Sequence, residues 1–146
     1  LGVKNRKIYV KYLDINNVMQ GPYEIIFDSQ KAFLIDTKQM VYQTFGNDWG
    51  LDFDDRAKYY SLYVTGLLSL RCGLDEVKIG IGKEIPDTII DIGECDEKNP
   101  NAIPSDLKIS YEFSADIDFA SIQITFADGE KTEVKKVINY NYPPTH

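Results

Sequence analysis

The clearest periodic signal lies near the C-terminus, where Ala120, Ile122, Ile124 and Phe126 alternate with Ser121, Gln123 and Thr125. Period-two alternation places successive side chains on opposite faces, so this run predicts a β-strand with one buried and one wet face. Asp128-Gly129 supplies a hairpin turn, and a second strand-like run begins at Thr132. The pattern recurs upstream. Leu107, Ile109, Tyr111 and Phe113 point inward against Lys108, Ser110 and Glu112, and Val77, Ile79 and Ile81 share one face. A short run over 88–92 follows a turn at Pro86-Asp87. At least five strands therefore fall in the second half, joined by a long polar connection over 93–106.

In the N-terminal third, Ile8, Val10 and Tyr12 mark a strand within 7–14, ended by Asn16-Asn17. A turn at Gly21-Pro22 leads to a second strand over 23–27; the two strands can pair, but the intervening residues are too many for a tight hairpin. Residues 29–45 predict a helix: Asp28 or Ser29 can cap its first turn, and Phe33, Met40, Val41 and Phe45 fall near one face. Residues 54–73 read both ways. Tyr60, Tyr63, Val64, Leu67 and Leu68 follow helical spacing, whereas Tyr60, Leu62, Val64, Gly66 and Leu68 share one face of a strand. The tyrosines and the interior Gly66 tilt the balance to the strand.

The expectation is a single domain over 1–146, mainly β, an antiparallel sandwich with one N-terminal helix. Its parts are N-terminal strands plus helix (1–48), sandwich (49–138) and a Pro-Pro tail (139–146). Ten tyrosines and seven phenylalanines agree with sheet, and 146 residues suffice to bury one real core.

Asp75-Glu76-Val77-Lys78-Ile79-Gly80-Ile81-Gly82, then Pro86-Asp87-Thr88, then the run over 122–129 closing on Asp-Gly, resemble bacterial immunoglobulin-like and fibronectin type III-like sandwiches. The resemblance covers residues 74–138. It implies a spacer, adhesion module or accessory domain, by analogy of fold alone. The chain departs from antibody-type domains in that Trp49 does not lie between the two cysteines.

A formal charge of −7 with scattered lysines repels phosphate backbones, which argues against nucleic acid and anionic membrane as partners. No apolar run approaches the ~20 residues needed to span a bilayer. The chain starts at Leu1 rather than Met, so a removed leader or an excised part of a larger protein is expected.

Cys72 and Cys95 lie 23 residues apart and form either a disulfide or two buried thiols. A bridge there would stabilise by roughly 3 kcal/mol and imply an extracytoplasmic setting. The single histidine, His146, ends the Pro-rich tail, which is a poor place for a catalytic base and leaves too few ligands for zinc. Asp48, Asp52, Asp54 and Asp55 crowd around Trp49, and Glu94, Asp96 and Glu97 precede Pro100. Such clusters admit a glycosidase pair or calcium, but the EF-hand spacing is missing and acidic loops explain them without chemistry. The glycines of Gly80-Ile81-Gly82-Lys83 lack phosphate-loop spacing and are better read as bending a strand.

The sequence therefore points to a non-catalytic accessory or interaction module of an extracytoplasmic protein, presenting loops or a sheet edge to a protein or glycan partner. The alternative is a carbohydrate-binding module in which Trp49, the aromatic expected to be most exposed, and Tyr59 stack a sugar while Asp52 and Asp54 accept its hydroxyls. A carboxylate-based hydrolase comes third. No catalytic, metal or cofactor residue is assigned.

Overall fold

A computed structural model describes residues 5–54 and 60–140. It is mainly β, with every strand pair antiparallel, and it divides into two compact units, Leu1–Phe33 and Leu34–His146.

The first unit is a two-stranded ribbon of β1 (Asn5–Leu13) and β2 (Met19–Asp28). The two strands pair, as the sequence allowed, and what differs is that β2 starts earlier than expected, at Met19, which shortens the connection. Residues 14–18 close the hairpin, and Gly21-Pro22 lies inside β2, where two residues oppose Lys11 alone in a bulge. Gly21 has φ +94°, and a Cβ there would meet Val10 O at 2.5 Å, so only glycine fits the bulge. Asp14 organises the turn. Its Oδ1 accepts from the amides of Asn16 (2.8 Å) and Val18 (3.0 Å), and its Oδ2 accepts from Gln20 Nε2 (2.9 Å). These donors, the Val18 amide foremost, hold its pKa below the ordinary aspartate value.

The helix appears where expected. Asp28 Oδ1 accepts from the Gln30 and Lys31 amides at 3.0 Å each and caps α1 (Ser29–Gln39). A turn of π-helix, Met40–Thr44, continues it, closed by Phe45 N donating to Met40 O at 2.8 Å.

The second unit contains two sheets among its described residues. One is β3 (Asp52–Asp54), β4 (Tyr60–Tyr63) and β7 (Ser110–Phe113), in the order β3-β4-β7. The other is β5 (Leu74–Ile81), β6 (Thr88–Ile89), β8 (Phe119–Phe126) and β9 (Lys135–Ile138), in the order β6-β5-β8-β9. Leu62 and Phe113 from the first and Val77, Ile79, Ile122 and Ile124 from the second share one hydrophobic core. The ambiguous stretch resolves by halves: β4 is strand, and after Val64 the chain turns into α2 (Thr65–Leu68) and a 3-10 turn, Arg71–Gly73.

Two expectations about faces need correction. β8 is not wet on one side, because Ser121 and Thr125 are buried along with Ala120, Ile122, Ile124 and Phe126. Gln123 Nε2 donates to Thr132 O (3.0 Å) and Ile124 N to Thr132 Oγ1 (3.0 Å), while the Ser121 hydroxyl is buried against Gly80 with no hydrogen-bond partner among the described residues. Ile109, expected inward, is exposed, because pairing in β7 starts only at Ser110.

Candidate functional site

The strands of the N-terminal ribbon sort their side chains onto two faces. Residues paired across an antiparallel ladder share a face. One face therefore carries Ile8 opposite Ile25, Val10 opposite Tyr23, and Arg6 opposite Phe27, extended by Tyr12, whose ring stacks on Tyr23 at 6.0 Å. The other face carries Lys7 opposite Ile26 and Tyr9 opposite Glu24. It is mixed: Lys7 Nζ pairs with Glu24 at 3.2 Å and Tyr9 OH donates to the same carboxylate at 3.3 Å, while Ile26 and the paired Leu13 and Met19 stand 57 to 60% exposed there.

Alternation of this kind is the pattern of a sheet face made for burial. Yet Ile8, Val10, Tyr12, Tyr23, Ile25 and Phe27 each keep 38 to 51% of their surface exposed. They offer about 500 Å² of apolar surface, taking roughly 200 Å² for a whole aromatic side chain and somewhat less for an aliphatic one. A patch of this size matches the largest apolar patch of an ordinary monomer, roughly 300–600 Å², which is often functional. A lone two-stranded hairpin is also marginally stable in water and gains from a second layer.

The residues singled out by sequence fall elsewhere. Trp49, expected to be exposed, is 2% exposed and belongs to the core. Its ring meets Tyr42 edge-on at 6.1 Å, and Lys135 Nζ lies 5.8 Å from its centre, so no open ring face is offered for stacking. The polar neighbours Asn47, Asp48 and Gly50 correctly marked a loop. What they did not reveal is that Trp49 takes a left-handed backbone, φ +46°, in a loop whose side chain turns inward.

Asp52 is exposed on β3 and lines a cleft of about 90 Å³ with Asp48, Phe53, Ile138 and Tyr140. Asp54 is half-buried at the end of β3 opposite Ser61. Tyr59 and Asp55 lie outside the described residues. Among the described residues, no three His, Cys, Asp or Glu side chains converge as metal ligands.

Cys72 and Cys95 form a disulfide, with Cα atoms 4.7 Å apart. Beside it opens a cleft of about 520 Å³ lined by Arg71, Glu94, Asp96, Ala102 and Ile103. Arg71 is 3% exposed, and its guanidinium is held by backbone oxygens: Nε donates to Glu94 O at 2.8 Å and NH1 to Leu68 O at 3.3 Å. Asp96 accepts from the Lys98 amide at 2.9 Å, and that bond keeps its carboxyl below the usual range. The acidic run 94–97 is thus built into a turn. Among the described residues, no helix is long and apolar enough to cross a membrane.

Alternation in the sequence marks the ribbon's strands, but nothing in a strand's own sequence says whether its apolar face will be covered. No family, no curated protein and no solved structure matches this chain at a significant level.

Proposed function

We propose that this chain is a non-catalytic interaction module of an extracytoplasmic protein, and that it works by presenting the apolar face of its N-terminal ribbon to a protein partner. One observation carries the reading: six side chains with the alternation of a buried sheet face stand 38 to 51% exposed. The mechanism is presentation of a preformed surface, in which association removes apolar area from water.

The Cys72–Cys95 disulfide supports the extracytoplasmic setting, since such bonds persist in oxidising compartments. Two antiparallel sheets feeding one core support a sandwich of the immunoglobulin-like kind for the second unit. The glycan alternative is less favoured. With Trp49 buried it would depend on Tyr140 beside Asp48 and Asp52, and it loses the indole platform on which it was based.

The test is photo-crosslinking in cells that produce the protein, with a benzophenone amino acid at Tyr12 or Tyr23 and, as a control, at exposed Thr88. A discrete protein adduct from the ribbon positions and not from Thr88 is expected. Equal or absent adducts at all three positions would sink the reading.

A further inference from the structure

We infer that the occupant of the ribbon's apolar face is a second copy of the same chain, packed face to face about a two-fold axis as two stacked two-stranded layers. This rests on the ribbon being a docking surface and specifies its partner.

Consider first the edges, the other way a ribbon can associate. Unpaired strands invite edge-to-edge pairing unless charge, proline or a bulge blunts them. Here β1 carries Arg6, Lys7 and Lys11 and no acid, so two β1 edges joined about a two-fold axis would bring cations together. On β2, the bulge at Gly21-Pro22 interrupts the ladder, and Pro22 has no amide hydrogen to donate. Joining β1 to a neighbour's β2 would match opposite charges, but that contact is heterologous and does not close as a dimer. Both edges are defended. The apolar face is not.

The face is suited to its own copy. Its one charged residue is Arg6, at the end beside Phe27, and it carries no carboxylate. The stacked Tyr12 and Tyr23 lie toward the other end. An antiparallel two-fold arrangement lays the Arg6 end of one ribbon over the tyrosine end of the other, where a guanidinium meets aromatic faces and the two Arg6 charges stay apart. The centre is then Ile8, Ile25 and Val10 against their counterparts. Two such faces remove about 1,000 Å² in total, the lower bound for a specific protein interface, so the dimer is expected to be concentration-dependent. The ~10 Å spacing of stacked sheets accommodates these side chains without rearranging either ribbon.

The experiment is light scattering after gel filtration of the full 146-residue chain across micromolar to sub-millimolar concentration. The wild type is compared with Ile25→Glu and Ile25→Lys on the proposed contact face and Ile26→Lys on the opposite face. The wild type and Ile26→Lys are expected to reach twice the 16.7 kDa chain mass, and each Ile25 variant to weaken dimerisation roughly 100-fold. Mixing Ile25→Glu with Ile25→Lys should restore the dimer, a rescue that a merely unfolded ribbon could not give. A wild type that stays monomeric at every concentration overturns the second copy as occupant. If Tyr12 and Tyr23 still crosslink to a different protein, the docking reading survives that failure. A dimer indifferent to the Ile25 variants overturns the ribbon as its interface.

Discussion

Arg71 donates from Nε to the backbone oxygen of Glu94 at 2.8 Å, and the next residue on each strand of chain, Cys72 and Cys95, is covalently joined. The 3-10 turn Arg71–Gly73 is therefore tied to the loop after β6 twice in succession, once by a charge-assisted hydrogen bond and once by a disulfide.

Removing both cysteines as Cys72→Ser/Cys95→Ser is expected to lower unfolding stability by about 3 kcal/mol. Replacing Arg71 by Ala strips the donor from Glu94 O and Leu68 O and should cost about 2 kcal/mol. Because both ties restrain one loop, the losses should be non-additive by more than ~0.5 kcal/mol in a double-mutant cycle read by urea unfolding. Intact mass after alkylation is the direct check on the bond, with both thiols expected to label only after reduction. Simple additivity would show that the two ties act separately.

Gly80 and Ser121 face each other across β5 and β8 at a distance that only glycine permits. A Cβ on Gly80 would lie 2.6 Å from Ser121 Oγ and 3.0 Å from Ile85 O. Gly80→Ala should thus destabilise by about 1–3 kcal/mol. Ser121 Oγ is itself buried with no hydrogen-bond partner among the described residues, so Ser121→Ala should be neutral or stabilise by up to about 1 kcal/mol. The alanine at 121 should also soften the Gly80→Ala penalty without abolishing it, since Ile85 O remains. Thermal denaturation of the three variants measures this, and a full-sized Gly80→Ala loss in the Ser121→Ala background would place the clash elsewhere.

Lys38 sets a pH window. Its Nζ meets Asp128 at 2.7 Å and Glu130 at 2.6 Å, in the turn that joins β8 to β9, and lies 5.3 Å from the Phe126 ring centre. Hydrogen bonding to Asp128, then to Glu130, raises the Lys38 pKa, and the Lys38 bond lowers that of Asp128. A depressed carboxyl contributes stability above its unfolded pKa and loses it as pH falls through the folded value. A raised amine contributes below its unfolded pKa and loses it as pH rises through the folded value. The Tm advantage of wild type over Lys38→Met is therefore expected to be flat at intermediate pH, to decline below about pH 4, and to decline again above about pH 10.5. Both partners are solvated, so the advantage should also shrink in high salt. A pH-independent difference would mean that the lysine's stem, not its charge, is what matters.

The sequence by itself determined the local elements. Asp28 capping α1, Asp128-Gly129 turning the last hairpin, and the alternation of β5 and β8 were all readable, because caps, turns and pleats are set by residues within a few positions of one another. The helix to strand ambiguity over 54–73 arose because buried apolar residues suit either period, and the chain uses strand for Tyr60–Tyr63 and helix for Thr65–Leu68. Tertiary structure alone decided which faces are covered. It buried Ser121 against Gly80, drew Trp49 into the core from a polar loop, closed Cys72 on Cys95, and left Ile8, Ile25 and Phe27 in the open. The physical reason is that burial depends on what other segments bring to a surface. An alternating strand states that it has an apolar face, and its own sequence does not say how much of that face will be covered.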